Sequence, residues 1–423
     1  MKKIIASVKG TRDFYPEQMA VRTWLYNSLR KVSESFGYQE YEAPFLETLE
    51  LYAAKSGEEL VKEQSYVFED RSGDMIALRP ELTPSLARMI AQKQNELTFP
   101  VRWWSFGPFW RYERPQKGRS REFFQWNIDL LGPSSPESDA ELVAIAANFF
   151  KQIGLSPKNT RIYVNNRRLM ESRFDQLGFS AEIRPIVSNL VDRRGKLSSE
   201  KWEAFAYEVG LTTSQLAGLK DLLADKELWR ESEDLVRLFK VIDSMGISEY
   251  VEFDPNIMRG LLYYTGTVFE AFDVTGSVRR SILGGGRYDN LLADVGGDSL
   301  PCVGFAMGDV VISLVLQEYG LVPTFDTTPA QVLVTVFSEE FLPDSFALAA
   351  ELRKGGVNAI CYPESQKLNK QFKYADRMRI RMVLVVGPDE TSHKQVTIKD
   401  LVQGTQQTAE RAKAARAVKD MLA

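Results

Sequence analysis

The sequence predicts a protein of several domains that combines the α/β and α+β fold classes. Its 423 residues exceed the size of one ordinary domain, so two or three domains are expected. Residues 107–129 alternate charged and bulky apolar side chains on both sides of a basic turn, as two paired strands with one polar face do. Residues 168–250 have helical periodicity, whereas strand-like and helical runs take turns after residue 330. We therefore expect a sheet-based body with a helical insertion, followed by a small α/β domain.

The first 150 residues contain local signals for helices and turns. Apolar side chains at helical spacing predict a helix over residues 18–37, and the strand-like segment 38–43 follows it. Turn residues at 70–74 predict a hairpin, after which residues 80–92 read as a turn that leads into a helix. The run Ser138-Asp-Ala-Glu141 has the form of a capping box, so it predicts the start of another helix.

The middle of the chain changes from a helical pattern back to strand patterns. Residues 168–250 are rich in Leu, Glu, Lys and Ser and have one break, at residues 210–213, which predicts the helical insertion. Residues 257–273 and 278–292 return to strand and glycine patterns, and residues 301–319 read as a strand followed by a helix.

The C-terminal region begins after the clearest linker in the chain, residues 321–329. Strand-like runs near residues 332–337, 359–362 and 382–386 alternate with helical runs. This alternation predicts an α/β domain with a largely parallel sheet.

Composition and cysteine usage exclude several classes of protein. The net charge of −4 does not by itself indicate a nucleic-acid-binding protein. No apolar run approaches the roughly 20 residues that span a bilayer, and residues 1–9 lack the apolar stretch of a signal peptide. Cys302 and Cys361 lie far apart without metal-ligand spacing, which predicts a reduced, cytoplasmic protein without structural zinc.

The single histidine of the chain limits its chemistry. His393 lies in a polar turn between two strand-like runs, where we expect it to be solvated. This excludes a catalytic imidazole base, a Ser-His-Asp triad and a His-rich metal site. Catalysis must then depend on arginines, carboxylates, tyrosines and electrostatic stabilisation.

The basic turn within residues 107–129 predicts a polyphosphate site. Five cationic side chains crowd it: Arg111, Arg114, Lys117, Arg119 and Arg121. Arginine forks neutralise phosphate oxygens, and the neighbouring Phe and Trp side chains offer faces on which a base can stack. The alternative is a solvated basic hairpin at the edge of a sheet.

Two other segments have both a structural and a functional interpretation. Glu81 and Thr83 place a carboxylate and a hydroxyl before a predicted helix, where they either cap the helix or bind a cationic ammonium group. The glycines of residues 284–286 either form a turn or let backbone approach a ligand closely.

The order of residues in the basic hairpin resembles motif 2 of the class II aminoacyl-tRNA synthetases. That motif has an aromatic residue, Arg-x-Glu, a variable loop and Arg-x-x-x-Phe, and here it reads Trp110-Arg-Tyr-Glu113 and Arg119-x-x-x-Phe123. The loop sequence Arg-Pro-Gln-Lys-Gly-Arg, followed by Gln125 and Asp129, resembles that of the histidyl-tRNA synthetases in particular.

Further segments resemble the same family, and together they cover nearly the whole chain. Residues 258–270 and 284–289 are similar to its two histidine-specific motifs, and residues 78–84 are similar to a segment that holds the amino group of the amino acid. The similarity extends from Lys9 to Asp376.

The resemblance implies a fold, an activity and partners. Residues 1–325 would form the class II antiparallel-sheet catalytic domain, with a helical insertion at about 168–250, and residues 326–423 an anticodon-binding α/β domain. The first helix and strand resemble motif 1, which implies a homodimer. The implied activity is ATP-dependent activation of histidine to histidyl-adenylate and its transfer to tRNA(His), with Mg²⁺ bridging the phosphates of ATP and no metal site built from protein residues.

The resemblance also implies a role for each site residue. ATP would be bound by Arg111, Glu113, Arg119 and Phe123. Histidine would be bound by Glu81, Thr83, Gln125, Asp129, Arg259, Tyr263, Tyr264 and Tyr288. The catalytic residues would be Arg111 and Arg259, which neutralise the α-phosphate, with Arg259 in place of a catalytic base or metal. The acceptor end of tRNA would meet Arg114 and Gln116.

The chain departs from the family pattern at two motifs. The family usually reads Arg-Gly-Leu-Asp-Tyr-Tyr, and Leu262 stands at the Asp position. Motif 3 usually ends in Gly-x-Glu-Arg, and Val310 and Val311 stand at the Glu and Arg positions. That arginine normally packs on adenine and reaches the γ-phosphate, so its loss would remove one electrostatic contact.

These departures leave alternatives open. Another group supplies the missing charge, or the chain is a paralogue with altered activity, such as the histidine-binding regulatory subunit that controls ATP phosphoribosyltransferase. The complete C-terminal domain argues against such a paralogue. A generic nucleotide-binding scaffold is a third alternative, but it leaves the paired amino-acid motifs unexplained.

Overall fold

The computed structural model divides into two compact units, Met1–Pro323 and Thr324–Ala423. Each unit has a hydrophobic core of its own. The structure describes residues 4–53, 64–259, 263–278 and 280–423. Across these ranges, no helix is long and apolar enough to cross a membrane.

The first unit is built on a large, mainly antiparallel sheet. Its strands are β1 (Gln39–Glu40), β2 (Leu46–Thr48), β3 (Tyr66–Glu69), β4 (Met75–Leu78), β5 (Val101–Trp110), β6 (Glu122–Leu131), β7 (Thr160–Asn166), β8 (Val251–Phe253), β9 (Thr267–Asp273), β10 (Ser281–Arg287) and β11 (Cys302–Gly308). Of these described strands, eight form one sheet in the order β1-β5-β6-β11-β10-β9-β7-β8, and β2, β4 and β3 form a small second sheet. The inner pairs are antiparallel, whereas the edge pairs β1–β5 and β7–β8 are parallel. The predicted antiparallel-sheet core is therefore confirmed.

The long hairpin predicted from the aromatic and basic pattern is β5 and β6. Its pairing runs in continuous register from Val101 opposite Leu131 to Trp110 opposite Glu122. Successive residues of a strand point to opposite faces. Trp126 is therefore buried in the core on one face of β6, and Phe123, Gln125 and Asp129 share the other face.

The helices of the first unit pack on both faces of the sheet and fill the insertion. They are α1 (Pro16–Ser35), α2 (Leu49–Ala53), α3 (Thr83–Lys93), α4 (Pro136–Gln152), α5 (Arg167–Gln176), α6 (Arg184–Asp192), α7 (Ser199–Glu208), α8 (Thr213–Ala224), α9 (Glu233–Ser244), α10 (Leu291–Asp294) and α11 (Asp309–Glu318), with short 3₁₀ helices at Arg194–Lys196, Leu228–Glu231 and Ser248–Tyr250. The helical insertion consists of α5 to α9, between β7 and β8. At its predicted break, Thr212 and Gln215 form a capping box that opens α8.

One predicted helix start is wrong. Helix α4 begins at Pro136, preceded by Ser135, so Ser138 and Glu141 lie inside the helix. Proline is favoured at this position because the first N–H groups of a helix have no partner within it. The Ser138 hydroxyl instead donates to the Ser135 carbonyl at 2.5 Å, and the Glu141 carboxylate accepts from Nε of Arg102 at 2.9 Å.

The second unit is an α/β domain with a mixed sheet. Its strands are β12 (Val332–Val334), β13 (Ala359–Cys361), β14 (Met382–Val385), β15 (Gln395–Asp400) and β16 (Gln406–Glu410), in the sheet order β13-β12-β14-β15-β16. Its helices are α12 (Leu342–Lys354), α13 (Leu368–Arg377), α14 (Pro388–Ser392) and α15 (Ala414–Leu422), with 3₁₀ helices at Glu339–Phe341 and Arg411–Lys413. The strands β13, β12 and β14 are parallel as predicted, whereas β15 and β16 add an antiparallel pair that the strand–helix alternation did not indicate.

Candidate active site

A cavity of about 1060 Å³ lies where the hairpin turn, β9, β10, the start of α11 and the helical insertion meet. Five residues predicted to bind substrates line it: Arg111, Glu113, Arg119, Phe123 and Gln125. Further charged groups on its wall are Lys117, Asp192, Asp254, Glu270 and Arg280. The residues predicted for ATP therefore share one polar cavity of ligand size.

Arg111 is fixed at the start of the hairpin turn. Its Nε donates to the Pro80 carbonyl at 2.9 Å, and its guanidinium carbon lies 5.3 Å from the centroid of the Phe123 ring. Phe123 in turn stacks on Phe109, with ring centroids 5.9 Å apart. Among the described residues, Arg111 has no carboxylate partner, so its outer guanidinium nitrogens can meet an anion in the cavity.

The turn itself is held by ionic and backbone contacts. Nη1 of Arg119 lies 3.2 Å from Oε2 of Glu113. Gln116 and Arg119 exchange backbone hydrogen bonds of 3.1 and 2.8 Å, and the side chains of Arg114 and Gln116 are exposed. The hairpin does not lie at the edge of the sheet, because β5 and β6 stand between β1 and β11. Its turn lines the cavity, while its tip faces solvent.

The residues predicted for histidine include a group of rings, here called the tyrosine cluster: Tyr264 and Tyr288, which are buried, and Tyr263, which is partly buried. The ring centroid of Tyr263 lies 4.8 Å from that of Tyr264 and 6.0 Å from that of Tyr288. The Tyr288 hydroxyl donates to Oδ1 of Asp129 at 2.5 Å. These aromatic walls with a carboxylate acceptor at one end suit a planar ring that carries an N–H donor.

Asp129 is a buried acid of altered acidity. Its side chain lies on β6 and is only 6% exposed. Burial raises the pKa of Asp129 to about 7, and the hydrogen bond from Tyr288 opposes that rise. Gly304, opposite Asp129 on β11, leaves the necessary space, because a Cβ there would lie 2.7 Å from Cγ of Asp129.

Arg259 connects the cavity to the tyrosine cluster. Its Nη1 donates to Oε1 of Glu270 at 2.7 Å, and Glu270 lines the cavity. Its guanidinium carbon lies 5.6 Å from the ring centroid of Tyr264. Nε of Arg259 is buried without a hydrogen-bond partner, and the backbone φ of 52° is unusual for a residue other than glycine. Both features are typical of a group positioned for a ligand.

The close approach of Arg259 explains one glycine of the triplet in β10. A Cβ on Gly284 would lie 2.5 Å from Cζ of Arg259, so a side chain there would displace the guanidinium group. This glycine therefore makes room for a side chain of the site itself. Leu262, the departure from the family pattern within residues 258–270, lies outside the described residues.

Glu81 and Thr83 lie at the N-terminus of α3. The helix begins at Thr83, and Leu82, which makes no side-chain cap, holds the N-cap position, so neither Glu81 nor Thr83 is the N-cap residue. Glu81 is 7% exposed. Burial, followed by the charges of Tyr264 and Glu81, raises the pKa of Tyr263 well above its usual value. Glu81 thus acts electrostatically on the tyrosine cluster, whose hydroxyls stay neutral.

The start of α11 closes the cavity without offering a cation. Val310 and Val311 line the wall there. The preceding Asp309 is buried and accepts from the Phe124 N–H at 2.9 Å and from Nη2 of Arg12 at 2.8 Å. This bond network, which sequence reasoning missed, ties the N-terminal segment and β6 to α11.

Two further wall residues escaped the sequence analysis. Glu270 ends a run of buried strand residues, and a lone acid in such a run is a signal that could have identified it. Arg280 precedes the glycine-rich strand and belongs to no pattern. The described residues contain no group of three or more His, Cys, Asp or Glu side chains placed to hold a metal ion.

The antiparallel sheet, the arginine- and aromatic-rich hairpin and the tyrosine cluster beside it are the features of a class II aminoacyl-tRNA synthetase. Residues 10–309 match the family model described as histidyl-tRNA synthetase, and residues 331–421 match the model of an anticodon binding domain. The chain therefore belongs to the histidyl-tRNA synthetase family.

Individual relatives agree over the full length. The chain is 36% identical over 428 residues to a histidine–tRNA ligase of Leptospira biflexa, covering 98% of this chain and 97% of the relative. It is 37% identical over 408 residues to the chloroplastic/mitochondrial histidine–tRNA ligase of Arabidopsis thaliana, covering 94% and 83%. The solved histidyl-tRNA synthetase of Nostoc sp. PCC 7120 superimposes with a TM-score of 0.82 at 27% identity, covering 99% of this chain and 100% of that chain.

A structure titled as an ATP phosphoribosyltransferase regulatory subunit/histidyl-tRNA synthetase, from Bacillus halodurans, has a TM-score of 0.72 at 21% identity. The superposition covers 88% of this chain and 97% of the Bacillus halodurans chain. At that identity the similarity shows a shared fold and does not favour the regulatory alternative.

Proposed function

We propose that this chain is a histidine–tRNA ligase that forms histidyl-adenylate from ATP and histidine and then transfers the histidyl group to tRNA. The observation that supports this most is the Arg259–Glu270 pair, which joins a polyphosphate-sized cavity to a buried pocket of tyrosines and Asp129. Both substrates of an activation reaction can thus lie side by side at one arginine.

ATP occupies the cavity with its phosphates toward the hairpin. Arg111 binds the α-phosphate, Arg119 binds the γ-phosphate, and the exposed face of Phe123 stacks on adenine, with Glu113 holding the base. The Glu113–Arg119 ion pair at 3.2 Å holds both side chains in place at the cavity wall.

Mg²⁺ is expected to arrive with the nucleotide. It usually binds through one or two carboxylates together with substrate phosphates, and the wall residue Glu270 suits that limited role. When bound, the ion would neutralise phosphate charge and orient the triphosphate.

Histidine occupies the pocket beside the cavity. Its ammonium group lies against Glu81 and Thr83, at the N-terminus of α3. Its imidazole lies among Tyr263, Tyr264 and Tyr288. The carboxylate of Asp129 accepts from one ring N–H, and Gln125, whose Oε1 is buried without a hydrogen-bond partner, meets the pocket from β6. A buried group that lacks a partner in the protein is well suited to bind a substrate.

The chemical step needs no side-chain base. The carboxylate of histidine is already ionised, and it attacks the α-phosphorus in line, forming a new C–O–P bond while the bond to pyrophosphate breaks. Arg111 and Arg259 stabilise the charge that grows on the α-phosphate oxygens. A hydroxyl of the terminal tRNA ribose then attacks the acyl carbon and releases AMP.

The remaining features concern tRNA and assembly. Arg114 and Gln116 at the exposed tip of the turn contact the acceptor end of tRNA(His). Residues 326–423 bind its anticodon, and residues 1–325 form the catalytic domain. Two copies of the chain associate as a homodimer through α1 and β1. The free thiols of Cys302 and Cys361 suit the reducing cytoplasm.

The regulatory alternative is supported by Val311 alone, and one assay separates it from the ligase. The purified chain should catalyse exchange between pyrophosphate and ATP that depends on histidine, and it should charge tRNA(His). A chain that binds histidine but shows no exchange at saturating ATP would be the regulatory paralogue.

A further inference from the structure

The wall of the cavity lacks a cation at the position where the family motif provides one. Val310 and Val311 offer only methyl groups at the start of α11. Another cation stands nearby in space: Arg280, which precedes β10 and lines the same cavity. It is more than 30 residues from Val311 along the chain, so sequence spacing gave no indication that the two residues line one cavity.

Arg280 is fastened to the hairpin turn. Its Nε donates to the Lys117 carbonyl at 3.1 Å. Gly118 lies close to both Arg280 and Val311. A Cβ added to Gly118 would lie 2.7 Å from Cδ of Arg280 and 3.8 Å from Cγ2 of Val311. The φ of +81° and this crowding make Gly118 the residue that lets Arg280 cross the turn beside Val311.

The electrostatic surroundings of Arg280 indicate an anionic ligand. Burial, followed by the charge of Arg119, lowers the pKa of Arg280, whereas Glu113 raises it. Over the described residues, no carboxylate forms an ion pair with Arg280, and Glu113 is already paired with Arg119. Two guanidinium groups that repel each other across a cavity wall are stabilised when an anion lies between them.

We propose that Arg280 supplies the phosphate-binding charge that the usual motif 3 arginine provides in the family, and that it binds the terminal phosphates of ATP together with Arg119. This inference rests on the proposed ligase function. It explains how the chain keeps an ATP site with Val311 at the motif position. It also assigns a substrate contact to a residue in the segment before the glycine-rich strand.

The test compares Arg280→Gln with the wild-type chain in histidine-dependent ATP–pyrophosphate exchange and in direct ATP titration by calorimetry. A hydrogen bond to a charged group contributes about 1.5–3 kcal/mol, so the Kd and KM for ATP should rise about 10- to 100-fold. The KM for histidine should stay within about twofold, because Arg280 does not contact the tyrosine cluster. Arg230→Gln, which removes an exposed arginine of the insertion that stacks on Trp229, is the matched control.

A second variant tests whether the two positions share one role. Val311→Arg added to Arg280→Gln should restore much of the ATP affinity, since it returns the charge to the usual motif position. The inference is overturned if Arg280→Gln leaves ATP affinity within twofold of wild type, or if it weakens ATP and histidine equally, or if the double variant shows no recovery. Failure of the ligase proposal looks different, because wild type itself would then show no exchange.

Discussion

The substitution Asp129→Asn tests the charge state of the histidine pocket. It keeps the size of the side chain but removes its ionisation. The pKa of Asp129 is raised to about 7 by burial, despite the opposing hydrogen bond from Tyr288. The carboxylate fraction of the free protein therefore rises from roughly one-tenth at pH 6 to roughly nine-tenths at pH 8. If that carboxylate accepts the imidazole N–H of histidine, wild-type kcat/KM for histidine should gain close to tenfold over this range.

The assay must separate Asp129 from the substrate, because the imidazole of histidine titrates near the same pH. The ratio of kcat/KM for histidine between wild type and Asp129→Asn removes the contribution of the substrate, which both proteins share. It should increase about tenfold from pH 6 to pH 8 at saturating ATP, since kcat/KM reports the ionisation of the free enzyme. A ratio that changes less than twofold would refute the role of the ionised carboxylate.

The raised pKa of Asp129 also predicts how the stability of the folded chain depends on pH. The pKa of Asp129 is higher in the folded chain than in the unfolded chain, so its contribution to stability is fully present below about pH 4 and is lost as pH rises toward 7. The shift corresponds to a loss on the order of 4 kcal/mol for this fully buried group. Without substrates, the Tm of Asp129→Asn relative to wild type should therefore increase between pH 4 and pH 7 and level off above it. A Tm difference that is independent of pH would contradict this.

Three other variants separate the parts of the site. Arg111→Ala should lower the rate of ATP–pyrophosphate exchange about 10²- to 10³-fold, as expected for one lost electrostatic contact to the α-phosphate, and a loss under tenfold would contradict its catalytic role. Gly304→Ala should raise the KM for histidine at least tenfold, because its Cβ would collide with Asp129, while ATP affinity measured by calorimetry stays within about twofold; equal losses for both ligands would indicate general unfolding. Replacing Arg114 and Gln116 together by Ala should lower kcat/KM for tRNA(His) charging about tenfold and leave exchange unchanged, whereas reduced exchange would place them at ATP instead.

Features governed by local chemistry could be predicted from the sequence. The β5–β6 hairpin follows from alternating side chains, and its even spacings of two and four residues place Phe123, Gln125 and Asp129 on one face. The helical insertion follows from its periodicity. The start of α4 was misplaced because Ser138 and Glu141 imitate a capping box, while Pro136 determines the first turn.

Features that depend on long-range packing could not be predicted in this way. Arg259 has a positive φ, and its guanidinium group passes over Gly284 of β10 to contact Glu270. Arg280 and Val311 both lie beside Gly118 of the hairpin turn and line one cavity, although they are far apart in sequence. Strand β16 is mostly exposed and polar, so it gave no alternating pattern, and it adds to the sheet through backbone pairing with only Ala409 packed on the core.

The most direct test of the joined site is a single-turnover reaction without tRNA. The purified chain is mixed with histidine and ATP labelled at the α-phosphate, together with pyrophosphatase, and the protein-bound products are isolated. The account predicts histidyl-adenylate retained on the protein in an amount close to that of the active sites, and none after Arg259→Gln. Bound histidine beside unconsumed ATP in the wild-type chain would contradict it.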